Sequence, residues 1–234
     1  MNRSYRVVWN VVTGTWQAVA EIARGRGKTK SLSKVALVAA GATVLFALGP
    51  ALAGPLPTGG NIVAGSGAIS QSGSTMTINQ STAKLAVDWQ SFNIGQGKTV
   101  EFVQPSASAV ALNRVLGTDV SVIQGALKAN GQVFLVNPNG VLFTPTAQVN
   151  VGALMASTLN MSTQDFMNGN YKLTGDSSNA VINQGNITAV GDAGKGGAIA
   201  LIAAKVINEG NLTANSGNVL LGAGSEVVLD LGGP

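Results

Sequence analysis

The sequence contains no cysteine and no histidine. Disulfide staples, thiolate metal sites, Ser-His nucleophile pairs and imidazole general bases are therefore all excluded. Aromatic residues make up 5% and charged residues 10% of the 234 positions, whereas glycine occupies 31. That balance fits neither an ordinary helical enzyme nor a charged disordered tail. Glycine patterns for a nucleophile elbow or a dinucleotide loop are also missing. No catalytic residue, cofactor-binding residue or metal ligand is assigned, and no cofactor is expected.

The chain has a net charge of +4 and a pI near 9.6, which would suggest nucleic acid if the charge were spread evenly. It is not. Residues 1–34 carry Arg3, Arg6, Arg24, Arg26, Lys28, Lys30 and Lys34 against Glu21, a local net of +6. From residue 54 onward seven Lys or Arg face nine Asp or Glu, a net of −2, and Arg114 is the sole arginine. A polyphosphate-binding surface is not implied, so nucleic acid drops out as a partner.

The basic head leads into an apolar run from Val35 to Gly49 and then Pro50-Ala51-Leu52-Ala53. A cationic region, an apolar stretch too short to span a membrane comfortably, and an Ala-x-Ala end form a secretory signal peptide. Cleavage is expected between Ala53 and Gly54, with Ala51 and Ala53 read by the peptidase. No consecutive arginine pair points to twin-arginine export, which leaves the Sec machinery. The head is unusually long. Tyr5, Val8/Trp9, Val12, Trp16, Val19 and Ile22/Ala23 recur every three or four residues, which predicts an amphipathic helix.

Residues 54–234 repeat. Val181-Ile-Asn-Gln-Gly-Asn-Ile-Thr-Ala189 returns as Val206-Ile-Asn-Glu-Gly-Asn-Leu-Thr-Ala214, a period of 25, while 196–204 matches 216–224 at a period of 20. The two agree if the loop from Val190 to Gly196 absorbs five extra residues, since strands must keep register and loops need not. Short β-branched runs broken by Asn and Gly are strands, and equal units in equal order stack as parallel coils. Asn183 matches Asn208, and Asn186 matches Asn211. Two roles fit these asparagines: a hydrogen-bonded amide ladder between coils, or tolerance of left-handed turns.

Between the apolar runs Val133–Val136 and Val141–Phe143 lies Asn137-Pro138-Asn139-Gly140. Pro138 presets φ and lacks an amide donor, the asparagines satisfy local backbone groups, and Gly140 accepts positive φ, so the segment makes a tight corner. Physical reasoning alone gives it that structural role. Arg114 is expected to form a structural ion pair with a carboxylate such as Asp119 or Glu101 in the same or a neighbouring coil, or to contact a partner. The Asn-x-Ser/Thr sequences at Asn79, Asn160, Asn186 and Asn211 are chance matches in so polar a chain.

The leader residues Met1-Asn2-Arg3, Tyr5-Arg6, Val8-Trp9-Asn10, Trp16, Val19, Glu21 and Arg24 resemble the extended signal peptide region of large Gram-negative autotransporter and two-partner exoproteins. The segment Phe92–Phe143 resembles the two-partner secretion domain of filamentous haemagglutinin-type exoproteins, with high-molecular-weight adhesins the nearest likeness. Its carriers are Phe92-Asn93-Ile94, Val100-Glu101-Phe102, Asn113-Arg114-Val115, Gly125, Gly131–Leu135 and Asn137–Gly140. The stretch Asn150–Thr158 also fits. A second, NPNL-like copy of the corner is lacking.

This resemblance implies an all-β, right-handed parallel β-helix with an amino-terminal cap, preceded by a helical signal peptide. Residues 1–53 would be the extended signal peptide and 54–234 the secretion domain. The implied partner is an outer-membrane TpsB-type β-barrel whose POTRA domains recognise the chain in the periplasm. The chain then crosses unfolded and folds at the cell surface or outside the cell. Asn137, Pro138, Asn139 and Gly140 would belong to the recognised segment, with Asn113 and Arg114 secondary. A host-cell surface or extracellular matrix is the implied target of an adhesin of this kind.

Polysaccharide lyases also use parallel β-helices, so a β-helical carbohydrate-active protein is the alternative. It requires a base beside clustered carboxylates. Asp88, Glu101, Asp119 and Asp176 stand apart in sequence. The last residues, 225–234, look like an interrupted coil, and an uncovered coil end is expected to fray or self-associate.

Overall fold

The computed structural model describes residues 5–10, 15–20, 55–191 and 196–229. The chain divides into two units, Met1–Ala47 and Leu48–Pro234.

In the first unit, β1 (Tyr5–Asn10) and β2 (Thr15–Ala20) pair antiparallel, with Trp9 opposite Trp16. The helix expected across these residues is not formed there. β1 holds Tyr5, Val7, Val8 and Trp9, and β2 holds Thr15, Trp16 and Val19; such β-branched and aromatic side chains favour a pleated strand over a helical turn. The apolar run from Val35 to Gly49 and the cleavage-site residues Ala51, Ala53 and Gly54 lie outside the described residues.

The second unit opens with β3 (Asn61–Ala64) and β4 (Gly67–Ser72). The first coil is β5 (Thr75–Gln80) and β6 (Lys84–Trp89). The second is β7 (Thr99–Val103), β8 (Val110–Val115) and β9 (Ser121–Ile123). The third is β10 (Ala126–Ala129), β11 (Gln132–Val136) and β12 (Val141–Phe143). The fourth runs through β13 (Gln148–Val151) and β14 (Ala153–Ser157), then leaves the stack for α1 (Thr163–Asn168) and β15 (Tyr171–Thr174). It returns as β16 (Ala180–Asn183). The fifth is β17 (Asn186–Ala189), β18 (Ala198–Ala203) and β19 (Lys205–Asn208). The sixth is β20 (Asn211–Ala214), β21 (Asn218–Ala223) and β22 (Glu226–Leu229).

These strands stack into two seven-stranded sheets and one four-stranded sheet, parallel from coil to coil. The unit is thus a parallel β-helix. β3 and β4 pair antiparallel with β6 and β5 and close the amino end with a different hydrogen-bond pattern. Both expected repeat spacings are present: Val181 pairs with Val206, and Ala198 with Asn218. The loop spanning 190–197 is longer than its counterpart at 215–217, and that difference reconciles the two periods.

Alternation along each strand divides the apolar residues between two cores. Met76, Val100, Leu127, Val149, Ile187 and Leu212 stack as one inward column. A second column contains Leu85, Ala111, Val133, Leu154, Ile199 and Val219. Residues one position away, including Leu112, Phe134 and Met155, point outward and form a separate buried cluster with Leu159, Met161, Phe166 and Leu173. The excursion between β14 and β16 is therefore a strap over an outer apolar face. β15 anchors it by pairing antiparallel with β22.

Small corners permit the close stacking. A side chain at Gly152 would approach the Gly131 carbonyl to 2.7 Å, so the successive coils meet backbone against backbone there.

Candidate functional site

The Asn137–Gly140 corner joins β11 to β12. Gly140 adopts φ +116 and its N–H donates to the Asn137 carbonyl at 3.0 Å, closing the turn. The expected reason for glycine at this position therefore holds. The Asn139 N–H donates to Asn137 Oδ1 at 2.9 Å, an Asx turn inside the corner.

The same side chains also reach other coils. Asn137 is fully buried. Its Nδ2 donates to the Asp119 carbonyl and to Ser121 Oγ, both at 2.9 Å, on the preceding coil. Its backbone N–H donates to the Ser157 carbonyl at 2.9 Å on the following one. Asn139 Nδ2 donates to the Gly117 carbonyl at 2.8 Å. One asparagine thus ties three coils together. Pro138 is exposed, and its carbonyl accepts from Ser177 Oγ at 2.6 Å and Asn179 Nδ2 at 2.9 Å.

Asn113 and Arg114 are adjacent in sequence but face opposite sides of β8. Asn113 points into the inner core, where its Oδ1 accepts from Trp89 Nε1 at 3.0 Å and its Nδ2 donates to the Phe134 carbonyl at 3.3 Å. Arg114 points outward. Its Nε and Nη2 hold the two carboxylate oxygens of Asp88 at 2.8 and 2.9 Å. The ion pair is mostly shielded, with side-chain exposures of 17% and 15%. The expected ion pair with a carboxylate of a neighbouring coil is thus formed, with Asp88 rather than with Asp119 or Glu101, the examples named from sequence. Asp88 lies directly across the parallel ladder from Arg114, a neighbour that only the coil register reveals. Arg114 Nη1 also donates to the Met161 carbonyl at 3.4 Å and so touches the strap.

Amide ladders decide between the two roles of the repeated asparagines. Asn183 Nδ2 donates to Asn208 Oδ1, and Asn211 Nδ2 to Asn186 Oδ1, both at 2.8 Å. Among the described residues Ser216 is the one non-glycine with positive φ, so left-handed tolerance is not why these asparagines are present.

Lys84 on β6 and the short helix α1 form a contact between the first coil and the strap that the residue pattern did not announce. Lys84 Nζ donates to the carbonyls of Phe166 and Met167 at 3.1 and 3.0 Å, at the carboxyl end of α1. It also stands 5.6 Å from the Tyr171 ring. Ser162 caps the amino end by accepting from the Asp165 N–H at 3.0 Å, and Gly169 ends the helix at φ +82. Ser162-x-x-Asp165 before Phe166, with glycine following, was a legible helix signal. No group of three Asp, Glu, His or Cys among the described residues is arranged to hold a metal ion.

A parallel β-helix with an antiparallel cap, an Asn-Pro-Asn-Gly corner and a strap over one outer face sets the comparison. Residues 53–232 match the TPS secretion domain family. The chain belongs to that family. Residues 1–50 match the extended signal peptide of the type V secretion system. A heme/hemopexin-binding protein of Haemophilus influenzae (strain ATCC 51907 / DSM 11121 / KW20 / Rd) is 43% identical over 173 residues, covering 72% of this chain and 19% of that protein. A second Haemophilus influenzae protein of the same name is 48% identical over 99 residues, covering 42% of this chain and 11% of the relative. The chain thus spans about a fifth or less of the length of these relatives. The crystal structure of the HMW1 secretion domain from Haemophilus influenzae superposes with a TM-score of 0.67 at 31% identity. That superposition covers 74% of this chain and 46% of the other.

The TPS domain is therefore the secretion module of an exoprotein that leaves a Gram-negative cell by the type V route, to the surface or the extracellular space. Its general partner is a TpsB transporter. Its role is secretion, and the carbohydrate-active alternative gains no support from the family.

Proposed function

We propose that residues 54–234 are recognised in the periplasm by the POTRA domains of the TpsB transporter and nucleate folding of the exoprotein outside. In this reading Asn137–Gly140 is decoded before the coils close. The observation that carries it is the burial of Asn137, whose side chain is committed to Asp119, Ser121 and Asn139 in the folded state. A partner reaches those groups only in an open chain, where they are free to bond to it.

Asn137→Ala and Asn139→Ala test the proposal in cells carrying the transporter, with Ser121→Ala as the control. The control removes a partner of Asn137 and weakens the same corner without changing the segment itself. Export of both asparagine variants is expected to fall well below that of Ser121→Ala. Equal export by all three sinks the recognition role and leaves the corner purely structural.

Upstream, residues 1–53 direct Sec export and are removed after Ala53. Replacing Ala51 and Ala53 with bulky residues is expected to leave unprocessed precursor, because the peptidase pocket accepts small side chains there. Cleavage at the same bond in that variant contradicts the assignment. The complete exoprotein is of the adhesin type, displayed toward a host-cell surface or extracellular matrix. The binding named for the Haemophilus relatives belongs, in this reading, to sequence beyond the matched part.

A further inference from the structure

Both feet of the strap rest on the Asn137–Gly140 corner. At the departing foot the Asn137 N–H donates to the Ser157 carbonyl. At the returning foot Ser177 Oγ and Asn179 Nδ2 donate to the Pro138 carbonyl, while Ser177 Oγ accepts from the Asn179 N–H at 3.2 Å. The returning chain then passes close over the turn, since a side chain at Gly140 would come within 3.2 Å of the Ala180 carbonyl.

The two feet differ physically. Asn137 and Ser157 are fully buried, so the departing bond is sheltered. Pro138 and Asn179 are exposed and Ser177 is half-buried, so water competes for every bond of the returning foot. Short polar side chains release such a carbonyl without exposing apolar surface, which suits a contact that opens and closes.

We infer that Ser177 and Asn179 are positioning residues for the Asn137–Gly140 segment. They seat the returning foot on the Pro138 carbonyl and thereby limit how long the corner stays open to the transporter. This inference rests on the recognition role proposed above and adds a timing element to it: seating the strap shortens the interval in which the folding chain leaves the segment open.

The test uses the 234-residue chain with Ser177→Ala and Asn179→Ala combined. Amide exchange reads the clamp directly. Protection of the Asn139 and Gly140 N–H groups is expected to fall about tenfold, equivalent to about 1.4 kcal/mol, while Val133–Val136 keep theirs. Unchanged protection at Asn139 and Gly140 overturns the clamp.

Capture on immobilised POTRA domains of the transporter reads the gating. Captured at once on dilution from urea, the two chains are expected to be retained alike; with increasing delay before capture, the double variant is expected to stay capturable several-fold longer than the wild type. If both chains are captured at once but lose capture at the same rate, the gating is refuted and recognition stands. If urea-diluted wild type is not captured, recognition itself fails, gating falls with it, and exchange alone decides whether these residues hold the strap.

Discussion

Asn137 shows why a corner residue is worth more than a turn. Alanine there strands the Ser121 hydroxyl, which is fully buried, and frees the Asn139 N–H as well as the Asp119 carbonyl. The expected loss is about 3 kcal/mol, against about 1 kcal/mol for the half-buried Asn139. Urea unfolding of Asn137→Ala and Asn139→Ala measures it, and equal losses contradict the larger role of the Asn137 side chain in holding the preceding coil. Arg114 supplies a second comparison. Asp88→Asn breaks a largely shielded bidentate pair and is expected to cost about 2 kcal/mol, whereas Glu101→Gln and Asp119→Asn are expected to stay within about 0.5 kcal/mol of wild type. Destabilisation by Glu101→Gln matching that of Asp88→Asn would contradict the observed pairing.

The strap behaves as one element because its underside is apolar and its anchors are few. Phe166 is fully buried, 6.2 Å from the Phe134 ring and 6.1 Å from the Tyr171 ring. Phe166→Ala is expected to cost about 3 kcal/mol and to open residues 158–179 to limited proteolysis while the coils stay intact. Cleavage distributed evenly along the solenoid would show that strap and coils unfold together. Tyr171 gives this element a pH dependence. Burial pushes its phenol above the ordinary tyrosine value, so folding favours the neutral form. Its contribution is complete below the unfolded value of about 10 and is lost as pH rises through the higher folded value. In a Tyr5→Phe chain the phenolate absorbance of Tyr171 is expected to appear only above the free-tyrosine range, with strap proteolysis rising in step. Titration at the free-tyrosine value would refute the burial.

Across the molecule, stability is expected to be graded along the stack, because each coil contacts mainly its neighbours. The middle coils have neighbours on both sides, and Val133 and Leu135 are fully buried. In β21 the residues stacked in register above these two, Val219 and Leu221, are 44% and 49% exposed. In the 234-residue chain amide protection is therefore expected to be greater across Gln132–Val136 than across Asn218–Ala223. Uniform protection from β5 to β21 would mean that the solenoid unfolds as a single cooperative block.

Whatever is periodic or local was legible in the residues alone. Equal spacing of Val-Ile-Asn-x-Gly units required equal coils, and the two periods located the longer loop, because register is fixed wherever alternate side chains enter a core. Pro138 and Gly140 announced their corner through backbone preferences that act within a few residues. Tertiary structure decided what depends on proximity between coils. The partner of Arg114 is Asp88, 26 positions away, because one turn of the solenoid brings them side by side. Leu112 and Phe134 belong to a second, outer core because the strap covers that face, and neither strand pattern nor composition says where an excursion will lie. The leader's threefold-to-fourfold spacing read as a helix, yet strand pairing prevailed at Tyr5–Asn10 and Thr15–Ala20, where β-branched and aromatic residues find a partner strand. Local chemistry sets the turns and the repeat, whereas contacts between coils depend on the length of each turn of chain, which the whole molecule alone fixes.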